Sequence, residues 1–119
     1  MSRSLLVKVT CGTDDPERAN QGFTVAATAV GAGVEVSLWG TGDAVLLLTR
    51  TGLADLGLEF ATPLTELVPL LLEGGRVTAC SQCVERRGVA DDLLPGVRIA
   101  GAAAFVEEAL ADGVQALVY

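Results

Sequence analysis

Three cysteines and no histidine set the chemistry open to this 119-residue chain. Cys80 and Cys83 form a Cys-x-x-Cys pair in "ACSQCVERRG", with the cations Arg86 and Arg87 and then Gly88 behind them. That spacing has four readings: half a metal clamp, a disulfide switch, a reactive thiol, or packing. A structural zinc site wants four ligands, usually two such pairs or cysteine with histidine. No metal is therefore expected in an isolated subunit; only a subunit-bridging or carboxylate-assisted site would serve. The missing histidine also excludes His-based triads and His general bases. No cofactor is expected, since "CGTDDPERANQG" has neither G-x-G-x-x-G nor a G-K-[ST] ending.

The thiol reading rests on placement. The thiolate is the nucleophile, and its pKa decides reactivity. Cys80 ends a strand-like stretch, "RVTACS", and opens a short helix, "QCVERRGV". A sulfur there meets unpaired N–H groups and the positive end of the helix dipole. Arg86 and Arg87 follow Cys83 by three and four residues, within reach of the same helix face. They could hold a thiolate or a bound anion, or be a solvated helix end. Cys11, with Gly12, closes the first strand; it reads as a small buried hydrophobe, with an accessory role at the same rim as the alternative.

The elements that must position these residues alternate along the chain. "SLLVKVTCG", "VEVSLW", "RVTACS", "VRIA" and "VQALVY" read as five strands. Asp15 before Pro16 caps a helix whose Ala19, Phe23, Ala26, Ala27 and Val30 make one apolar face, ended by Gly31 and Gly33. "DAVLLLTR" reads as a helix opened by Asp43, and "TGLADLGLEFAT" as a loop with a turn of helix. "TPLTELVPLLLEGG" reads as a helix capped by Thr62, kinked or restarted at Pro69. "AAAFVEEALADG" reads as an amphipathic helix with Ala102, Phe105, Val106, Ala109 and Leu110 inward and Glu107, Glu108 and Asp112 outward. Strands alternating with helices predict an α/β fold: one domain over residues 1–119, with a parallel sheet covered on both faces. In such sheets function gathers beyond the carboxyl ends of the strands, where Cys11 and Cys80 fall.

The totals narrow the partners. A formal net charge of −7 repels a phosphate backbone and an anionic bilayer, so neither nucleic acid nor membrane is expected. The N-terminus has no signal-peptide pattern and the apolar runs are too short for a span, which predicts a cytoplasmic protein. The chain is 50% hydrophobic but only 4% aromatic, with mean hydropathy +0.49. That excess predicts subunit contacts.

"ACSQCVERRGV", a following Leu-Pro-Gly-Val-x-Ile-x-Gly segment and the closing "ADGVQALVY" resemble the DsrE/DsrF-like family of small sulfur-relay proteins, which includes YchN-like and DsrE- and TusD-type subunits. "PERANQGFTVAATAVGAG" and "VEVSLWGTGDAVLLL" fit the same resemblance. It implies a three-layer α/β/α subunit with a five-stranded parallel sheet. It also implies homo-trimers or homo-hexamers, and donor and acceptor proteins as partners. In sulfur-transferring members a cysteine six residues before "RRG" accepts persulfide sulfur; Cys80 has that spacing. Cys83 matches the second cysteine of the YchN-like Cys-x-x-Cys. Three functions follow: a sulfur carrier acting through Cys80, with Cys83 resolving or tuning it; a dithiol redox protein; and a non-catalytic oligomeric module binding at a crevice near Gly12, Gly40 and Gly42.

Overall fold

The computed structural model describes residues 3–119. Its elements run β1 (Ser4–Val9), α1 (Pro16–Gly31), β2 (Glu35–Gly40), a 3-10 segment (Gly42–Leu48), α2 (Leu64–Gly74), β3 (Arg76–Cys80), α3 (Ser81–Arg87), β4 (Arg98–Ala100), α4 (Ala102–Ala109) and β5 (Val114–Val118). All five strands are parallel, in the order β4-β3-β2-β1-β5. The three-layer α/β/α sandwich stands.

Register explains the two faces. Val7, Leu38 and Val77 lie side by side in β1, β2 and β3, are essentially fully buried, and share one core with Ala19, Phe23 and Ala26 of α1 and Leu67, Val68 and Leu71 of α2. One residue further along, the row Lys8, Trp39, Thr78, Arg98 points to the opposite side. A strand alternates faces at every residue, so that row meets a different layer, which holds α4. The 3-10 segment plugs the first core at the strand ends through buried Ala44, Val45, Leu47 and Leu48.

Local signals set several boundaries. Asp15 Oδ1 accepts the Arg18 N–H, with Pro16 at the first helical position. Gly88 ends α3 in the left-handed conformation at φ 65°, where a glycine carries no Cβ penalty.

Four expectations are corrected. "DAVLLLTR" forms 3-10 turns and not an α-helix, because the Ala44 and Thr49 N–H groups bond carbonyls only three residues back, the tighter winding of a short connector. "TGLADLGLEFAT" contains no helical turn. Thr62 does not cap α2: Pro63 is the cap residue, and the Thr62 carbonyl accepts from Asn20 Nδ2 on α1. Pro69 lies inside α2, which continues without a restart; it and Thr65, whose carbonyl loses its helical partner, are exposed to solvent.

α4 also differs from its expected orientation. It has no fully buried residue, and Val106 and Leu110 are 51% and 79% exposed, while Ala102 is exposed too. Glu108, expected outside, faces the sheet. Ser37 Oγ, Trp39 Nε1 and the Arg98 guanidinium all donate to its carboxylate, and Arg76 stands 3.7 Å away. Phe105, three residues earlier, meets Trp39 edge to face at 5.3 Å. The cations on the sheet face outweigh apolar periodicity, since a half-buried arginine needs an acid more than an alanine-rich helix needs a second apolar stripe.

Candidate functional site

β3 carries Cys80 to the carboxyl edge of the sheet on the α4 side, two residues beyond Thr78. The chain turns there into α3, with Cys80 as its N-cap. The sulfur is half-buried and lines a pocket of about 290 Å³ between sheet and α4. Its walls are Trp39, Phe105, Val106 and Ala102, with Lys8, Thr41, Ser81 and Gln82 supplying polar groups.

The Cys80 thiol lies below the ordinary thiol range. Burial is the largest single influence and pushes it up; the Cys83 N–H, the Cys83 thiol, the Gln82 N–H and the Lys8 ammonium together outweigh it. None of the N–H groups closes a full capping hydrogen bond to the sulfur, but all favour the anion they face. Cys83 is in turn held from behind, where the Gly42 N–H donates to its sulfur at 3.1 Å. Both cysteines are free thiols. The arrangement favours the thiolate over the thiol and presents it to a pocket of small-ligand size.

The other expected residues are placed differently. Arg87 donates through Nε and a terminal nitrogen to Asp43 Oδ1, at 3.1 and 2.8 Å, and to the Cys83 carbonyl. It fastens α3 to the 3-10 segment. Arg86 is exposed on the same helix. Neither guanidinium is among the groups that act on Cys80; the cation that does so is Lys8. Cys11 is buried within the first core, and its thiol is pushed up by burial and then by Asp15 and Asp14. It packs within that core and does not line the Cys80 pocket.

The expected crevice at Gly12, Gly40 and Gly42 is filled. A Cβ on Gly12 would stand 2.6 Å from the Asp43 carbonyl oxygen, and one on Gly40 2.9 Å from Leu48. Gly42, at φ +55°, would meet the Thr10 carbonyl at 2.6 Å. These glycines let the 3-10 segment press against the strand ends, which brings the Gly42 N–H to Cys83. A larger cavity of about 460 Å³ opens at the opposite, amino edge of the sheet, around Ser37, Arg76 and Glu108, and holds no thiol.

Lys8, Phe105 and Glu108 are not among the site residues that the sequence pointed to. Lys8 sits over the Phe105 ring, 4.9 Å from its centroid, and Arg98 lies 5.5 Å from the Trp39 ring. The available signal was Lys8, Arg76 and Arg98, cations inside strand-like runs that a fully covered sheet would otherwise fill with apolar residues.

Fold and rim define the class: a small parallel α/β protein with free thiols at the carboxyl edge of its sheet. The DsrE/DsrF-like family model matches residues 3–118, and the chain belongs to that family. It is similar over the full length of both chains to the crystal structure of ychN protein from E. coli, with TM-score 0.79 and 18% identity. It is also similar to BT1422 from Bacteroides thetaiotaomicron, a conserved protein of unknown function, with TM-score 0.60, 21% identity, and 98% and 95% of the two chains covered. At these identities the likeness is one of fold. No curated protein matches the chain. Among the described residues, no helix is long and apolar enough to cross a membrane.

Proposed function

We propose that this protein is a sulfur carrier in which Cys80 accepts a sulfane sulfur and hands it to a partner's thiol. One observation carries the reading: the Cys80 sulfur opens onto a bounded pocket and, although partly desolvated, is held below the ordinary thiol range. A buried thiol with no such function would be pushed up, as Cys11 is. Membership of a family generally related to sulfur relay supports the same conclusion.

In the first half-reaction the Cys80 thiolate attacks the outer sulfur of a donor persulfide R–S–SH. The Cys80 S–S bond forms, the donor S–S bond breaks, and R–S⁻ leaves; Cys80–S–SH keeps the proton. In the second, an acceptor thiolate attacks that outer sulfur and the Cys80 thiolate departs. Neither half needs an external oxidant. Cys83, one of the groups that lower the Cys80 pKa, tunes the leaving sulfur. Self-association is part of the proposal, supported by Leu110 at the end of α4 and Val118 on the edge strand β5, both more than half exposed.

The test is intact mass after exposure to a persulfide donor. A gain of one sulfur that disappears in Cys80→Ser and persists in Cys11→Ser is expected; a gain that survives Cys80→Ser contradicts the proposal. A dithiol reading competes, because Cys80 and Cys83 are both free thiols at the start of α3. It requires a loss of two hydrogens under mild oxidant without any gain of sulfur.

A further inference from the structure

The pocket that holds Cys80 contains one charged side chain, Lys8, from the neighbouring part of the sheet. Lys8 is half-buried, and among the described residues no carboxylate stands within ion-pair distance of it. Its ammonium rests on the Phe105 ring, a contact that orients the cation without neutralising it. The remaining walls are mostly apolar, so little else in the pocket competes for the charge. A volume of about 290 Å³ is at the lower end for ligand sites, roughly 300–1,000 Å³, and suits a donor of amino-acid size better than a protruding protein loop.

The whole chain opposes this local field. With a net charge of −7 the surface repels anions at long range, but screening confines that repulsion to about 8–10 Å at physiological ionic strength. Inside the pocket, Lys8 decides the sign.

Building on the sulfur-carrier reading, we propose that Lys8 makes this pocket selective for small sulfane donors that carry an anionic group, holding that group while Cys80 takes the outer sulfur. The transfer is the first half-reaction given above, with R bearing the anion; Lys8 keeps its proton throughout and only positions the donor.

The experiment separates this role from sulfur transfer. Iodoacetate and iodoacetamide alkylate the same thiolate, but only iodoacetate is an anion. Their rates at Cys80, resolved by fragment-ion mass spectrometry, are compared in the parent, Lys8→Met and Lys8→Arg. The iodoacetate-to-iodoacetamide rate ratio is expected to fall about fivefold in Lys8→Met, the size of one unit charge acting across a solvated pocket, and to recover in Lys8→Arg. In the parent the ratio should also fall as salt is raised, a readout independent of whether either variant folds. A ratio unchanged by Lys8→Met, or a parent ratio insensitive to salt, overturns the proposal. With persulfides of 3-mercaptopropionate and 2-mercaptoethanol as donors, the anionic one should load Cys80 faster in the parent and lose that advantage in Lys8→Met. If neither donor loads Cys80, the sulfur-carrier reading fails while the alkylation ratio still judges Lys8.

Discussion

Replacing Glu108 by glutamine should loosen α4 and open the Cys80 pocket. Glu108 is the principal polar fastening of that helix to the sheet: its carboxylate, only 18% exposed, takes hydrogen bonds from Ser37, Trp39 and Arg98. A hydrogen bond to a charged group contributes about 1.5–3 kcal/mol. Arg98 is 38% and Arg76 55% exposed, so solvent screens the ionic part. Glutamine keeps an acceptor oxygen for Ser37 or Trp39 but loses the charge. The expected cost at neutral pH is about 2 kcal/mol, or about 1 M in urea midpoint for a slope of about 2 kcal/mol/M. Burial raises the Glu108 pKa, but Ser37, Arg98 and Trp39 outweigh it and hold it below the usual carboxyl range. Its contribution is therefore full above the unfolded value of about 4.3 and is lost as the pH falls through the lower folded value. The difference between parent and Glu108→Gln should be large at pH 7 and shrink below about pH 4. Trp39 is the sole tryptophan and touches both Phe105 and Glu108, so its emission should shift to the red in the variant. A variant within about 0.5 kcal/mol of the parent at pH 7, or one equally destabilised at both pH values, would refute the reasoning.

Two further outcomes follow from the same geometry. Alkylation of Cys80 by a neutral reagent should rise with pH to a midpoint below that of an unperturbed thiol in a model peptide measured alongside, because its net shift is downward. Cys11, raised and buried, should react only on unfolding; peptide-resolved labelling over a pH series checks both, and equal labelling of the two would contradict the assignment. Gly12→Ala places a Cβ 2.6 Å from the Asp43 carbonyl oxygen, an overpacking that should cost about 1–3 kcal/mol in urea unfolding. An unchanged midpoint would show that the 3-10 segment yields freely.

The sequence was legible where the signal was local. Asp15-Pro16 marks the start of α1 because a capping oxygen and a fixed φ act within one turn. The Val/Leu runs mark strands, and alternation with helices places Cys80 at the carboxyl rim. What could not be read is set by strand order. Lys8 reaches the Cys80 pocket because β1 lies two strands from β3, and no periodicity along the chain encodes that. Arg86 and Arg87 drew attention by closeness in sequence, yet Arg87 is committed to Asp43, on a segment whose path depends on glycine contacts across the core. Glu108 of α4 was placed outward for the same reason. The helix's apolar spacing is satisfied on either side, and the choice falls to Arg98 and Arg76, which need Glu108.

The central claim is that Cys80 is the sulfur-accepting atom. Trypsin cleaving after Arg76 and Arg86 leaves Cys80 and Cys83 in one peptide, so the deciding measurement is fragment-ion mass spectrometry of that peptide after persulfide loading and capping. One added sulfur is expected on fragments that contain Cys80 but not Cys83, removed when an acceptor thiol is supplied. Added sulfur confined to Cys83, or a peptide left unmodified by every donor, would contradict it.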